Sequence, residues 1–365
     1  MAHPHLFEPY ERGALRLPHR VAMAPLTRNR AKDTVPGSLN AEYYAQRASA
    51  AILVTEGTHP AANGQGYLDI AGLHDDEQQA GWALVADAVH AAGDAKLVIQ
   101  LMHCGRVAHP AFTGEQPIAP SAVQAPGQVI TADGQVDYVL PREIATDELA
   151  AVRETYVQAA RRAVAAGADG VELHAANGYL LHQFLSPNTN QRTDGYGTDV
   201  AGRIRFVVET VDAVSAAIGA ERVGIRISPG HAVNGIEETG TRETYDALLD
   251  ALAPYELMYL HVLDSSPHAG YPVLEQARQR WSGTLMANQG FTREFDVAQA
   301  DALVADGRID LVAYGRSFLA NPDLPARLEQ GAELNAPDNA TFYGGGAEGY
   351  TDYPTLAEVQ AGATV

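Results

Sequence analysis

A short stretch of the chain places three side chains that could polarise and protonate a carbonyl compound. An apolar run ends at His174, and Asn177 and Tyr179 complete the group within six residues. A neutral imidazole and an amide can donate hydrogen bonds, and a phenol with a pKa of about 10 is protonated at neutral pH. Together these groups could hold a carbonyl oxygen and deliver a proton to the adjacent carbon.

The elements that must position these residues alternate between strand and helix along the chain. Short apolar runs recur, several of them continuous, as in parallel strands that are buried on both faces. Eight strands separated by helices favour a closed α/β TIM barrel over an open sheet. The strands are predicted at residues 21–26, 51–56, 96–102, 170–174, 223–228, 258–263, 284–288 and 310–314.

Residues that commonly cap helices mark several helix ends in the sequence. Asp75 and Gly93 are predicted to begin and end one helix, and Thr146 to begin the next. Thr292 and Gly307 are predicted to bracket a later helix.

Two stretches add to a minimal barrel. Residues 6–18 precede the first strand and are predicted to form a hairpin that closes the barrel floor. Residues 105–146, after the third strand, form a long insertion that contains proline and glycine and lacks helical periodicity. Insertions of this length usually carry function or act as a lid. Because no interdomain linker is visible, residues 1–365 are predicted to form one domain.

Composition and charge restrict the class of protein. The net charge of −20 and the pI near 4.9 argue against a nucleic acid or an anionic membrane as partner, although a salt-rich cytoplasm would also favour such a charge. Cys104 is the only cysteine, so neither an internal disulfide nor a cysteine-based zinc or iron–sulfur site can form. With no signal-peptide pattern and no apolar run of membrane-spanning length, we predict a soluble cytoplasmic protein without a metal.

In a TIM barrel, active sites form where the strands end at their carboxyl side. Polar residues or glycines occupy seven of the eight predicted strand ends, which is more than a purely structural barrel requires. The residues at these ends are Thr27, Gly57, Gln100 with His103, His174 with Asn177, Arg226, Gln289 with Gly290, and Gly315 with Arg316.

Motifs along nearly the whole chain resemble those of the Old Yellow Enzyme family of flavin-dependent ene-reductases. They lie at residues 24–28, 42–50, 171–187, 191–194, 225–229 and 342–354. The resemblance implies FMN as cofactor, NADH or NADPH as reductant and a small-molecule enone as substrate, reduced at its C=C bond in two hydride-transfer steps. Quinones, nitro compounds and nitrate esters are further acceptors that it implies. The sequence decides neither the oligomeric state nor the preference between NADH and NADPH.

The resemblance also assigns residues to the flavin. Thr27 would donate a hydrogen bond to the flavin O4, Gly57 would leave room for the ring, and Gln100 would face the pyrimidine edge. Arg226 would lie beside the N1–O2 edge, which is negative in the reduced flavin. Alternatively, Thr27 caps a helix, Gly57 is a turn glycine and Arg226 pairs with an acidic neighbour. Further contacts to the cofactor are implied for Pro25 and Leu26, and contacts to its phosphate for Gln289, Gly290, Gly315 and Arg316.

On the substrate side, the resemblance makes His174 and Asn177 the donors to the substrate oxygen and Tyr179 the acid that protonates the α-carbon. Tyr67, Met102 and Tyr343 would line the substrate pocket. For Tyr67 and Tyr343 the alternative is ordinary aromatic packing. Several relatives have tryptophan at the position of Met102, so we expect a reshaped pocket here. Outside the site, His182 is predicted to be a packed or capping histidine and Cys104 a buried filler.

Two other interpretations remain open at the level of sequence. A metal-dependent hydrolase could use His59, His103, His174 and His261 near the strand ends. A non-catalytic flavin- or steroid-binding barrel would keep Arg226 and Arg316 and need not keep Tyr179. No Gly-x-Gly-x-x-Gly loop follows a predicted strand, which favours a mononucleotide such as FMN over a dinucleotide held by a Rossmann fold.

Overall fold

A computed structural model describes residues 3–290 and 293–362. Eight parallel strands close into a barrel, and each predicted strand is present, most of them shorter than predicted. The fully apolar runs form strands because both faces are covered, by helices outside and by neighbouring side chains inside. The barrel strands are Val21–Met23, Ile52–Val54, Lys96–Leu101, Gly170–Ala175, Val223–Ile227, Tyr259–Leu263, Leu285–Asn288 and Leu311–Tyr314.

Helices surround the barrel and short helical turns lie in its loops. The α-helices are Pro4–Phe7, Ser38–Gln46, Asp76–Ala92, Pro110–Thr113, Leu149–Ala165, Leu180–Leu185, Val200–Ile218, Thr241–Leu252, Ser266–Ala269, Val273–Arg280, Val297–Ala305, Arg316–Ala320, Leu324–Gln330 and Leu356–Gly362. The 3-10 turns are Lys32–Thr34, Ala62–Gly64, Gly105–Val107, Ala220–Arg222, Val233–Gly235, Ala253–Tyr255 and Asn339–Thr341. Within residues 3–290 and 293–362, no helix combines the length and apolarity needed to cross a membrane.

The predicted hairpin at the barrel floor is confirmed. Strands Tyr10–Arg12 and Leu15–Leu17 pair antiparallel. Their inward side chains pack against the barrel interior, and the Tyr10 hydroxyl lies 2.9 Å from the Thr284 hydroxyl at the start of the seventh barrel strand. The hairpin therefore closes the end of the barrel opposite the strand ends that were predicted to carry the site.

The long insertion contains more structure than its sequence indicated. It includes a second antiparallel hairpin, Gln128–Thr131 with Gly134–Asp137, and a small parallel pair, Ile118–Ala119 with Arg142–Glu143. Residues 128–130 lie over the open end of the barrel. The insertion thus contributes to the cavity described below.

The helix caps were predicted with mixed success. The Asp75 carboxylate accepts the Gln78 backbone N–H at 2.8 Å, which confirms the first. Thr146 does not begin a helix, because its hydroxyl donates to Asp194 at 2.6 Å and the helix starts at Leu149. The later helix starts at Val297 behind an Asp296 cap. It ends before Gly307, as predicted, while the predicted cap Thr292 lies outside the described residues.

Candidate active site

A cavity of about 760 Å³ opens at the carboxyl ends of the barrel strands. All of the site residues predicted from the sequence line it, although they come from seven strand ends, two loops and the chain's tail. They are Pro25, Leu26, Thr27, Gly57, Tyr67, Gln100, Met102, His174, Asn177, Tyr179, Arg226, Gln289, Gly290, Gly315, Arg316 and Tyr343. A cavity of this volume is in the range of small-molecule and cofactor sites.

The turn that carries the predicted catalytic group is held by the neighbouring strand end. Asn177 has a φ of +56°, a left-handed conformation that asparagine tolerates better than most residues. Its backbone N–H donates to the Ser228 hydroxyl at 2.9 Å, and its carbonyl accepts the Asn234 side-chain amide at 2.8 Å. His182, on the helix that follows, accepts the Gly178 N–H at 3.0 Å, which confirms it as a packed, capping histidine. The positions of His174, Asn177 and Tyr179 are therefore fixed from several sides.

His174 and Asn177 present polar atoms that no described residue satisfies. His174 Nδ1 and Asn177 Oδ1 are buried and lack a hydrogen-bond partner. Burial, and next the charge of Arg226, lower the pKa of His174 well below its usual value. The imidazole is therefore neutral at pH 7. Unsatisfied buried polar atoms are costly, so this wall of the cavity fits a ligand that carries its own polar group.

Tyr179 is held by a second phenol. Its hydroxyl lies 3.0 Å from the hydroxyl of Tyr67, and its ring lies 5.0 Å from that of His174, centroid to centroid. Burial raises the pKa of Tyr179 above its usual value, while the hydrogen bond to Tyr67 opposes that shift. The phenol is thus protonated at neutral pH and able to act as an acid. Tyr67 does more than pack, because it orients this hydroxyl.

Two polar side chains line the cavity from the barrel interior. Gln100 donates its Nε2 to Glu172 at 2.7 Å, so its partner is a carboxylate that was not predicted. The Arg226 guanidinium donates to Asn288 Oδ1 at 3.3 Å, and its Nε is buried without a partner. Among the residues described, Arg226 forms no direct ion pair with a carboxylate, so that alternative is wrong. Burial lowers the pKa of Arg226, and the charge of Glu172 opposes this shift without direct contact.

The surroundings of Thr27 and Gly57 bear on their alternatives, a helix cap for Thr27 and a turn glycine for Gly57. No helix begins between Thr27 and the 3-10 turn at Lys32, so Thr27 does not cap a helix. A Cβ at Gly57 would collide with the Met102 sulfur. Gly57 therefore makes room for the buried Met102 side chain, which in turn shapes the cavity wall.

At the last two strand ends, a carboxylate occupies a cluster of backbone amides. Glu294 accepts the N–H of Gly315 at 2.6 Å, the N–H of Ser317 at 3.1 Å and the Ser317 hydroxyl at 2.5 Å. Of the residues predicted to bind the phosphate, Gly315 thus donates to an anion that the chain itself supplies, whereas Arg316 donates to Asn339 Oδ1 at 3.0 Å. Sequence reasoning missed Glu294, since nothing local shows that its side chain folds back.

The tail is tied across the mouth of the cavity by a buried arginine. Arg28 donates to the carbonyl oxygens of Phe342 at 2.9 Å and Gly349 at 2.7 Å. Phe342 lies under the Arg316 guanidinium at 5.2 Å from its ring centroid. Tyr343 is 69% exposed at the mouth, where its ring meets that of Phe342 edge-on with 6.5 Å between centroids.

The metal-hydrolase interpretation finds no support in the parts of the chain that the structure describes. There, no three or more His, Cys, Asp or Glu side chains converge as metal ligands would. His261 is paired with Glu172 inside the barrel, and His103 contacts the Asn63 side chain at 3.1 Å. Cys104 is fully buried, and burial raises the pKa of its thiol, as expected of an inert filler.

Known proteins resemble this chain in sequence along most of its length. A profile of the NADH:flavin oxidoreductase / NADH oxidase family matches residues 5–335. The chain is 40% identical to 12-oxophytodienoate reductase 1 of Oryza sativa subsp. japonica, over 97% of this chain and 94% of that one. It is 38% identical to 12-oxophytodienoate reductase 2 of Arabidopsis thaliana, over 96% of both.

Solved structures show the same fold. Morphinone reductase superimposes with a TM-score of 0.92 at 44% identity and 98% coverage of both chains. An old yellow enzyme homologue from Zymomonas mobilis gives a TM-score of 0.92 at 37% identity, covering 97% of this chain and 100% of that one. The chain belongs to the NADH:flavin oxidoreductase / NADH oxidase family, in its Old Yellow Enzyme group. It is accordingly an NAD(P)H-dependent flavin oxidoreductase whose cofactor is FMN.

Proposed function

We propose that the protein reduces the C=C bond of α,β-unsaturated carbonyl compounds, with NAD(P)H and substrate using the same cavity in turn. The observation that carries the proposal is the wall formed by His174, Asn177 and Tyr179, where a neutral imidazole with an unpartnered Nδ1 lies beside an amide and a protonated phenol. The names of the 12-oxophytodienoate reductases and of morphinone reductase point to unsaturated ketones in relatives, and morphinone reductase was solved in complex with tetrahydroNAD. Quinones, nitro compounds and nitrate esters are further acceptors of the same kind.

The residues present fit an FMN. Arg226 Nε is an unpartnered cationic donor inside the barrel, and Gln100 keeps a free amide oxygen beside it. Pro25, Leu26, Thr27 and Gly57 would bound the ring system, and Gln289, Gly290, Gly315 and Arg316 would hold the phosphate. When bound, FMN supplies the group that takes two electrons from the nicotinamide and passes them to the substrate.

In this proposal the chain's own residues bind, polarise and protonate the substrate. His174 and Asn177 hydrogen-bond the carbonyl oxygen and draw electron density from the conjugated double bond, so that the β-carbon becomes electrophilic. Tyr179 delivers its phenolic proton to the α-carbon. Tyr67 orients that phenol through the hydroxyl contact at 3.0 Å. Met102 and Tyr343 shape the space available to the rest of the substrate.

We expect Arg316→Ala to weaken FMN retention about tenfold, because it removes a fixed cation beside the phosphate; tenfold corresponds to about 1.4 kcal/mol. The measurement is the FMN dissociation constant of each protein, from fluorescence titration after the flavin has been removed. Arg308→Ala is the matched control, since Arg308 is exposed at the opposite end of the barrel. Equal affinities in all three proteins would show that the phosphate lies elsewhere.

Glu294→Gln should strengthen FMN binding about tenfold, because a charge-assisted competitor for the amides of Gly315 and Ser317 is lost. Riboflavin has no phosphate, so its affinity should stay the same. The two flavins are compared by the same titration. An equal gain for both flavins, or none for FMN, would mean that the carboxylate and the phosphate do not share these amides.

A further inference from the structure

A buried polar network lies in the barrel directly behind the cavity. Glu172 and His261, both fully buried, face each other across the interior at 2.8 Å, from Oε2 to Nδ1. Glu172 Oε1 accepts Gln100 Nε2 at 2.7 Å, and His261 Nε2 lies 3.1 Å from Asn288 Oδ1. The same Asn288 oxygen accepts Arg226 Nη2 at 3.3 Å. Gln100, Arg226 and Asn288 line the cavity, whereas Glu172 and His261 do not.

Strand register explains why these residues meet. Gln100 and Glu172 are paired neighbours on the third and fourth barrel strands, and Arg226 and His261 are paired neighbours on the fifth and sixth. All of them point into the barrel, where water is excluded and hydrogen bonds must be completed by the protein. The network therefore follows from the barrel's topology.

The hydrogen-bond partners of His261 indicate how many protons its ring carries. Arg226 has only donors, so the Asn288 atom that it meets is an oxygen. His261 Nε2 lies against that same oxygen and must carry a proton. Glu172 Oε1 accepts from Gln100 and Oε2 faces His261 Nδ1, and burial raises the pKa of this carboxyl less than His261, Arg226 and Gln100 lower it, so we place the proton between Glu172 and His261 on the ring. The His261 Nδ1 that faces this carboxylate must then carry a proton as well.

Burial, and Arg226 with it, hold the pKa of His261 below its usual value against the opposing charge of Glu172, yet a neutral ring fits the contacts less well. With Nδ1 protonated toward Glu172, the Nε2 lone pair would face the Asn288 oxygen at 3.1 Å. Turning the amide would instead place its NH₂ group against the Arg226 guanidinium. Glu172 and Arg226 are the charged groups that act on the ring, and Glu172 is the one in direct contact. When both ring nitrogens of His261 are protonated, every hydrogen-bond donor in the network faces an acceptor.

We propose that His261 is a positioning residue of the FMN site: as a doubly protonated ring it cancels the charge of Glu172, so that the charge of Arg226 remains available to the cofactor. The same network commits Gln100 Nε2 to Glu172 and leaves Oε1 as an acceptor toward the cavity. Gln100 Oε1 can accept a hydrogen bond from a flavin N–H, while the Arg226 guanidinium beside it can bind an adjacent, electron-rich carbonyl of the same ring. The proposal rests on FMN binding at this site.

The protonation state can be tested directly in the FMN-bound protein by nitrogen NMR with ¹⁵N-labelled histidine. The His261 signals are assigned by their loss in His261→Gln. We expect both ring nitrogens to show imidazolium shifts from pH 6 to pH 8. A signal from an unprotonated ring nitrogen in that range would overturn the proposal without bearing on whether FMN binds.

The coupling to the cofactor is tested by its reduction potential. His261→Gln leaves Glu172 uncancelled beside Arg226, so we expect the ratio of reduced to oxidised FMN affinity to fall about tenfold, or about 30 mV for two electrons. The double variant His261→Gln with Glu172→Gln has no carboxylate in this network and should return to within about threefold of wild type. His90→Gln, at a surface contact between His90 Nε2 and Asp169, is the matched control.

These variants separate the possible failures. An unchanged potential in His261→Gln, or a double variant that stays as low as the single one, would contradict the role of His261. If wild-type protein bound no FMN, the proposed function would fail and the role of His261 would fail with it; bound FMN with an unchanged potential would contradict the role of His261 alone. Should the single variant fail to fold because it leaves a buried charge unpaired, the double variant and the NMR shifts decide the matter.

Discussion

Replacing His174 with alanine should slow the oxidation of the reduced protein by an enone about 100- to 1,000-fold. One preorganised donor to a developing oxyanion is typically worth this much, about 2.7–4 kcal/mol. The structure supports the role because the imidazole is buried, neutral and without a partner at Nδ1. The measurement is anaerobic stopped-flow mixing of photoreduced protein with 2-cyclohexenone.

Photoreduction keeps the nicotinamide out of this comparison, so that only the step with the enone is measured. His90→Ala is the matched control, since His90 lies at the surface on the second helix of the barrel. Flavin content must be equal in all samples. Equal enone rates in wild type and His174→Ala would remove His174 from the activating role.

Tyr179→Phe should slow enone reduction by about 100-fold or more while FMN stays bound and reducible by NAD(P)H. General acids of this kind contribute about 100- to 10,000-fold. Quinones should remain good oxidants, because the charge that develops on them lies on an oxygen that solvent can protonate. Both oxidants are tested on one preparation of the variant.

Tyr67→Phe provides the comparison for Tyr179→Phe. It removes the hydroxyl that lies 3.0 Å from Tyr179 but keeps the acid itself, so the loss should be smaller and again confined to the enone. A proportional loss for enone and quinone in Tyr179→Phe would mean that Tyr179 shapes the cavity and is not the proton donor.

The sequence was sufficient to predict the barrel and the residues that line its cavity. Continuous apolar runs identify strands buried on both faces, and the carboxyl ends of such strands meet at one rim whatever the loops do. His174, Arg226 and Gly315 could therefore be assigned to one site although they are far apart in the chain. Most strands were predicted to extend too far, because apolar residues continue past the last paired position of the strand, as at Ala24.

The contacts that depend on side-chain direction could not be predicted. Thr146 has the type and position of a helix cap, yet its hydroxyl contacts Asp194, 48 residues later. Glu294 binds amides beyond the next strand, and Glu172 meets His261 only because the fourth and sixth strands face the same interior. Such pairings become visible once the barrel is closed, since no local pattern specifies them.

The most direct test of the proposed activity is isotopic. Protein reduced with 4-deuterated NADH or NADPH, of the stereochemistry that transfers the label, is mixed anaerobically with 2-cyclohexenone, and the product is analysed by NMR. We expect cyclohexanone with deuterium at the β-carbon and a solvent-derived hydrogen at the α-carbon. An allylic alcohol, or a failure of the enone to oxidise the reduced protein while a quinone does so, would contradict it.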